Sequence, residues 1–123
     1  MPFASREGIG VIVYSPMGSG LLTGAMTRER IASLPRDDFR RRDPRFQEPQ
    51  LSRNLALAER LQGVADRLDM TVGAVAVAWT LRHPAVDGAI VGFRRPDQVE
   101  AIVEGANLEL DSLAVEEIER VLA

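Results

Sequence analysis

The sequence contains no lysine and no cysteine, and only one of its 123 residues is histidine. All fifteen cationic residues are therefore arginines. The absence of lysine excludes a Schiff base, a P-loop lysine and a lysine acid or base. The absence of cysteine excludes disulfides, thiolate nucleophiles and cysteine-ligated metal sites, and one imidazole cannot form a histidine-rich metal centre. A cation site built from carboxylates remains possible.

Positive charge and long apolar runs are also scarce. The net charge of -3 and the pI near 5.2 are the opposite of the basic character that nucleic-acid binding requires. No apolar run approaches the roughly eighteen residues of a membrane span, and residues 1–6 carry no apolar signal-peptide core. We therefore expect a soluble, cytoplasmic protein that binds neither nucleic acid nor membranes.

Two short apolar runs, at residues 8–14 and 86–91, predict β-strands. The first run is apolar on both faces, which favours a strand buried on both sides of a parallel sheet, and the second is also predicted to be a short buried strand. The first ends in a loop with three glycines and a proline at residues 15–24. The polar segment between Pro35 and Pro49 predicts a long surface loop.

The remaining sequence predicts helices. Apolar residues recur every three or four positions between residues 51 and 68. Thr71 is a candidate N-cap for a second helix that stops near His83, because Pro84 disfavours helix there. Pro96 is suited to the first position of a third helix, and Asp111 to the cap of a fourth at residues 112–122. The order is strand, glycine loop, helices, strand, arginine-bearing turn and helix. Two strands make too small a sheet, so the chain is predicted to be part of a larger α/β architecture.

The glycine loop, Gly18-Ser19-Gly20-Leu21-Leu22-Thr23-Gly24, can place backbone N–H groups close to an anion. Its spacing matches neither the dinucleotide fingerprint nor the P-loop. An ordinary strand-to-helix turn and a phosphate-binding loop both remain open. The turn after the second strand favours the phosphate loop, because Arg94 and Arg95 can grip a phosphate there.

Four segments together resemble, in order and spacing, the C-terminal part of aldo-keto reductases. They are residues 8–24, Asp38-Phe39-Arg40-Arg41-Arg42-Asp43-Pro44-Arg45-Phe46, Ala76-Val77-Ala78-Trp79, and Ile90-Val91-Gly92-Phe93-Arg94-Arg95-Pro96-Asp97-Gln98-Val99-Glu100. The resemblance implies a partial (β/α)8 TIM barrel, in which residues 1–123 form the C-terminal portion of the domain with its seventh and eighth strands.

The resemblance also implies a binding site for NADPH. Tyr14 would pack against the nicotinamide ring, and Arg40 would reach the phosphates, with Arg41 or Arg45 as substitutes. Arg94 would contact the 2'-phosphate that distinguishes NADPH from NADH. The pyrophosphate loop would comprise Ser15, Pro16, Met17, Gly18 and Ser19, and the adenosine end would be held by Gly92, Arg94 and Gln98.

Two features depart from the family pattern. Ala101 and Ile102 stand where the family usually has a Glu-Asn pair that contacts adenine. The family's catalytic tyrosine is assisted by a lysine, an aspartate and usually a histidine on earlier strands, whereas this chain has no lysine and only Tyr14. We therefore assign no catalytic residue and expect the isolated chain to be inactive.

The sequence thus predicts a truncated NADPH-dependent aldo-keto reductase, whose full-length relative would reversibly reduce aldehydes or ketones by hydride transfer. One alternative is a non-catalytic nucleotide-binding or regulatory subunit. A remnant that does not fold by itself is another.

Overall fold

The computed structural model describes all 123 residues and consists mainly of helices. Two three-residue strands, β1 (Ile12–Tyr14) and β2 (Gly88–Ile90), form a small parallel sheet. The α-helices are α1 (Pro2–Glu7), α2 (Arg28–Ala32), α3 (Gln50–Arg67), α4 (Val72–Leu81), α5 (Asp97–Asn107) and α6 (Ser112–Leu122). Short 3-10 segments span Gly18–Thr23, which is kinked at Ser19 and Gly20, Phe39–Arg41 and Pro44–Phe46.

The parallel pairing of the two predicted strands is confirmed, but their predicted burial is wrong. Tyr14 pairs with Ile90, and the side chains of Ile12, Tyr14 and Ile90 are 67%, 81% and 62% exposed. Helix α4 contacts β2, whereas these three residues have nothing covering them. The strands are also shorter than predicted: before β1, the Val11 N–H donates to the carboxylate of Asp87 at 2.7 Å instead of to a strand carbonyl.

The helices predicted from periodicity and capping residues are confirmed. The Thr71 hydroxyl accepts a hydrogen bond from the Ala74 N–H at 3.1 Å and caps α4, which ends at Leu81. The Asp111 carboxylate accepts from the Ala114 N–H at 2.7 Å and caps α6. Pro96 lies at the N-cap of α5 and not at its first helical position. Helices α1 and α2 were not expected from the sequence.

Two apolar clusters form the core. The larger joins α3, α4 and α6 through buried residues such as Ala65, Val75 and Ile118. The smaller cluster comprises Leu21, Met26, Phe46 and Leu51. It packs the glycine loop and the segment that contains Phe46 against the start of α3. Because Phe46 is only 3% exposed, the segment between Pro35 and Pro49 is not the simple surface loop expected. Two 3-10 turns and a buried aromatic side chain hold it against the fold.

Helices α4 and α5 pack at very short range through small residues. A Cβ added at Gly105 would lie 2.4 Å from the carbonyl oxygen of Ala74 and 2.7 Å from its Cα. Only glycine therefore fits at position 105. This close approach sets α5 beside the end of the sheet, where the loop after β2 begins. None of the helices combines the length and apolar character needed to cross a bilayer.

Candidate functional site

A cleft of about 560 Å³ lies between the loops that follow the two strands. Its volume is within the range of roughly 300–1,000 Å³ typical of small-molecule sites. Because β1 and β2 are parallel, both loops leave the sheet at its carboxyl end, where ligands of α/β proteins usually bind. The cleft is lined by Ser15, Pro16, Met17, Ser19, Gly20, Thr23, Ala25, Met26, Arg30, Phe39, Arg40, Thr71, Gly73, Gly92, Phe93, Arg94, Arg95, Gln98, Ala101 and Ile102.

The glycine loop after β1 forms one wall in a tightly turned conformation. Ser15 and Ser19 adopt positive φ values of 54° and 58°, and Gly20 has a φ of 104°. Residues other than glycine rarely adopt a φ near 104°. A Cβ at Gly20 would also approach the Met26 side chain to 3.0 Å, so position 20 is restricted both by conformation and by space.

The start of α4 forms another part of the cleft wall through Gly73. A Cβ at this position would lie 2.6 Å from Ile102 Cδ1 and 3.0 Å from the sulfur of Met17. Gly73 therefore allows the glycine loop and α5 to approach the same point. Ala101 and Ile102 give this part of the cleft an apolar surface.

Gln98 shapes the turn after β2. Its side-chain oxygen accepts hydrogen bonds from the backbone N–H groups of Arg94 and Arg95, at 2.9 and 3.2 Å. The side chain of Arg95 pairs with Asp97 at 3.2 Å. Arg94 has no carboxylate within ion-pair distance, so its guanidinium group is free for a ligand.

Arg40 lies in the cleft wall and is already paired. It is 6% exposed, and its guanidinium group donates two hydrogen bonds to the carboxylate of Asp38, at 2.9 and 2.6 Å. Hydrogen bonding from Arg40, with the more distant charge of Arg94, lowers the pKa of Asp38 from 3.8 to about 2. The Asp38 carboxylate therefore neutralises much of the charge that Arg40 brings to the cleft.

The two arginines considered as substitutes for Arg40 lie in different places. Arg41 points away from the cleft and donates to the carbonyl oxygens of Ala32 and Leu34. Arg45 pairs with Asp43 at 2.6 Å and also reaches the Ser19 hydroxyl at 3.4 Å. Arg45 is thus the one of the two that contacts the glycine loop.

Eight of the ten residues proposed from the sequence line the cleft, namely Ser15, Pro16, Met17, Ser19, Arg40, Gly92, Arg94 and Gln98. Tyr14 and Gly18 do not. Tyr14 lies on the open face of the sheet, and Gly18 contributes to the loop through its backbone, with a positive φ of 57°. The fold therefore brings eight of the predicted site residues to one cleft and leaves the ring of Tyr14 outside it.

Several lining residues were missed by the sequence reasoning, among them Arg30, Phe39, Thr71, Gly73 and Phe93. Thr71 was identified only as a helix cap. Phe39 and Phe93 lie in segments that resemble the family, but the sequence reasoning assigned them no role. Arg30 and Gly73 belong to no recognised motif, and only the fold brings them to the cleft. No group of three or more histidine, aspartate and glutamate side chains is placed to hold a metal ion.

Comparison with known proteins gives consistent matches along the whole chain. The model of the aldo/keto reductase family matches residues 1–123. An aldo-keto reductase of Bacillus subtilis, YhdN, is 35% identical over 99% of this chain and 37% of its own length. An NADP(+) aldo-keto reductase of Schizosaccharomyces pombe is 32% identical over 94% of this chain and 34% of its own length. An NADH-specific methylglyoxal reductase of Escherichia coli is 30% identical over 89% of this chain and 32% of its own length.

A solved structure, that of a glycerol dehydrogenase from Gluconobacter oxydans, superimposes with a TM-score of 0.87 and 32% identity. The superposition covers 99% of this chain and 36% of the dehydrogenase. The chain thus spans about a third of the length of the relatives it matches.

Proposed function

The chain belongs to the aldo/keto reductase family, and on that premise we propose that its cleft binds the phosphate and adenosine portion of NADPH. Residues 1–123 are the C-terminal portion of the domain in this proposal, with β1 and β2 as neighbouring strands of a partial (β/α)8 barrel. The activity of the whole domain is the reversible reduction of an aldehyde or ketone to an alcohol.

The observation that carries the proposal is the free guanidinium group of Arg94 in a cleft between two parallel-strand loops. Arginine binds phosphate through charge-assisted hydrogen bonds in a planar geometry. The neighbouring Arg95 is held by Asp97, so Arg94 is the cation on this turn that is available to an anion. A 2'-phosphate is the group that would distinguish NADPH from NADH at this position.

The other lining residues fit the same ligand. Ser15, Ser19 and Gly20 present small side chains and backbone where a pyrophosphate needs close approach. Ala101 and Ile102 offer an apolar surface against which adenine can pack. When bound, the nicotinamide supplies the hydride for carbonyl reduction.

The names of the relatives leave the cofactor open, since one refers to NADP(+) and another to NADH. The charge of the cleft favours NADPH here. No aspartate or glutamate is among the residues that line the cleft, and the carboxylate of nearby Asp38 accepts two hydrogen bonds from Arg40. The cleft therefore offers no free carboxylate to bind the ribose 2'-hydroxyl of NADH.

The chain's own residues do not provide a proton donor beside the cleft. It has no lysine, and its one tyrosine, Tyr14, lies outside the cleft. We therefore expect the 123-residue protein to bind cofactor without reducing a carbonyl. Turnover of a generic aldehyde by the purified chain, at a rate near that of a typical enzyme, would contradict this expectation.

Isothermal titration calorimetry with NADPH and NADH tests the binding proposal. We expect Arg94→Gln to weaken NADPH binding about tenfold or more, while NADH binding changes little, because only NADPH carries the 2'-phosphate. Arg60→Gln is the matched control, since it removes one unpaired positive charge from the exposed face of α3. An unchanged ratio of NADPH to NADH affinity in Arg94→Gln would overturn the assignment, and no binding by the unaltered chain would overturn the proposed function.

The second candidate is a non-catalytic nucleotide-binding subunit. The exposed sheet face at Ile12, Tyr14 and Ile90 favours it, because apolar residues on an open sheet are suited to contact with another chain. This candidate would be supported over the first if the chain bound NADPH through Arg94 but reduced no carbonyl, even when the rest of a family barrel was supplied as a separate chain.

A further inference from the structure

The charges of the cleft single out a second free arginine. Four arginines line it, and two of them are neutralised by neighbouring carboxylates: Arg40 by Asp38 and Arg95 by Asp97. The third, Arg94, carries the proposed function. The fourth, Arg30, has no carboxylate within ion-pair distance either.

Arg30 is held near the end of the glycine loop. Its guanidinium group donates to the carbonyl oxygen of Ala25 at 3.5 Å, one residue after Gly24. Arg30 lies on helix α2, whose start is fixed by the Thr27 hydroxyl accepting from the Arg30 N–H at 3.1 Å. The adjacent Met26 is buried in the smaller apolar cluster, which anchors the segment that presents Arg30.

The single long contact to Ala25 leaves most of the Arg30 donors unused. A guanidinium group has five N–H donors, and in the cleft they face no acidic partner. An anion at the glycine loop would therefore gain charge-assisted hydrogen bonds without displacing an existing ion pair. The same anion at Arg40 would have to compete with the Asp38 carboxylate.

We propose that Arg30 is a cofactor-binding residue that contacts the pyrophosphate of the dinucleotide at the glycine loop. The proposal rests on the proposed function of the cleft. It assigns the two free arginines to different phosphates: Arg94 to the 2'-phosphate at the turn after β2, and Arg30 to the pyrophosphate at the glycine loop. Arg40 then supports the wall through Asp38, and its charge contributes less to binding.

The test is calorimetric titration of Arg30→Gln with NADPH and NADH. Both dinucleotides carry the pyrophosphate, so we expect Arg30→Gln to weaken both about five- to twentyfold. Arg30→Lys keeps the positive charge and is expected to recover part of the loss. Arg60→Gln again serves as the control for net charge and should leave both affinities unchanged.

The outcomes separate this proposal from the function on which it rests. If the unaltered chain binds NADPH and Arg30→Gln binds both dinucleotides equally well, Arg30 has no role and the inference is wrong. If Arg30→Gln weakens NADPH alone, Arg30 contacts the 2'-phosphate, and the assignment to the pyrophosphate is overturned. If the unaltered chain binds neither dinucleotide, the proposed function and the inference fail together. Circular dichroism of each variant confirms that helix content is retained.

Discussion

The carboxylate of Asp38 accepts two hydrogen bonds from the Arg40 guanidinium group, at 2.9 and 2.6 Å, and it also caps the 3-10 turn by accepting from the Arg40 N–H at 3.0 Å. The two residues are nearly buried, with side chains 11% and 7% exposed. A run of charged residues that looks like a solvated loop in the sequence thus contains an internal ion pair, whose arginine lies in the wall of the cleft.

This pair predicts a defined dependence of stability on pH. The pKa of Asp38 is lowered from 3.8 to about 2 by hydrogen bonding from Arg40. A lowered pKa in the folded state stabilises the fold above the unfolded pKa, and this stabilisation is lost as the pH falls through the folded pKa. We expect the contribution of Asp38 to be complete above about pH 5 and to disappear progressively as the pH approaches 2.

Urea unfolding of the unaltered chain and of Asp38→Asn, followed by the fluorescence of Trp79, measures this contribution. Asparagine keeps an oxygen for the turn and removes the charge. The difference in unfolding free energy between the two proteins should shrink as the pH is lowered from 5 to 2. A difference that stays constant over this range would mean that the pair is not formed in solution.

The contact between α4 and α5 predicts that Gly105→Ala is destabilising. The added Cβ would overlap the backbone of Ala74, which cannot move without displacing α4. Overpacking of this kind costs about 1–3 kcal/mol. Gly63→Ala is the matched control, because Gly63 lies within α3 with no atom within 4 Å of the added Cβ. Alanine there should raise stability by up to about 1 kcal/mol. Equal effects of the two variants in urea unfolding would refute the close packing.

Gln98 is expected to serve two roles that different variants separate. Gln98→Ala leaves the N–H groups of Arg94 and Arg95 without their acceptor, so we expect a loss of about 0.5–1.5 kcal/mol in unfolding free energy and weaker NADPH binding. Gln98→Glu keeps the acceptor and adds a negative charge beside Arg94. It should unfold like the unaltered chain and still bind NADPH more weakly. If Gln98→Ala changes neither quantity, the turn does not depend on this side chain.

The cap of α6 predicts a difference between two substitutions of Asp111. The carboxylate accepts from the Ala114 N–H at 2.7 Å, whereas its distance to the Arg67 guanidinium group is 3.7 Å. We therefore expect capping to dominate over the exposed ion pair. Asp111→Ala should lower the unfolding free energy by about 1 kcal/mol, and Asp111→Asn by clearly less, since asparagine also caps helices. Equal losses would point to the ion pair instead.

Sequence reasoning located the helices well because their signals are local. The apolar periodicity of α3 and the capping residues Thr71 and Asp111 act within one or two turns of the chain. It was less successful with the strands. Residues 8–14 are apolar enough to be buried on both faces, but burial depends on what covers them, and one face of β1 remains open.

The candidate site likewise contains residues that the sequence identified and residues that it did not. Arg94, Gln98 and the glycine loop were identified because their spacing along the chain resembles that of a known family. Arg30 was not, because its importance depends on which other arginines are already neutralised. That question concerns pairs such as Arg40 with Asp38, whose geometry no single position in the sequence reveals.

The sequence by itself determined the family of the chain, the order of its two strands and four longest helices, and the chemistry that is excluded by the absence of lysine and cysteine. Residue types, local periodicity and motif order suffice for those conclusions. Only the tertiary structure decided which arginines are free and which residues face one cleft. The pairs that neutralise Arg40 and Arg95 are only two residues apart in the chain, but whether their side chains meet depends on the local backbone conformation and on burial. The lining of the cleft depends on segments far apart in the chain, and folding alone brings Arg30 and Arg94 to the same cavity.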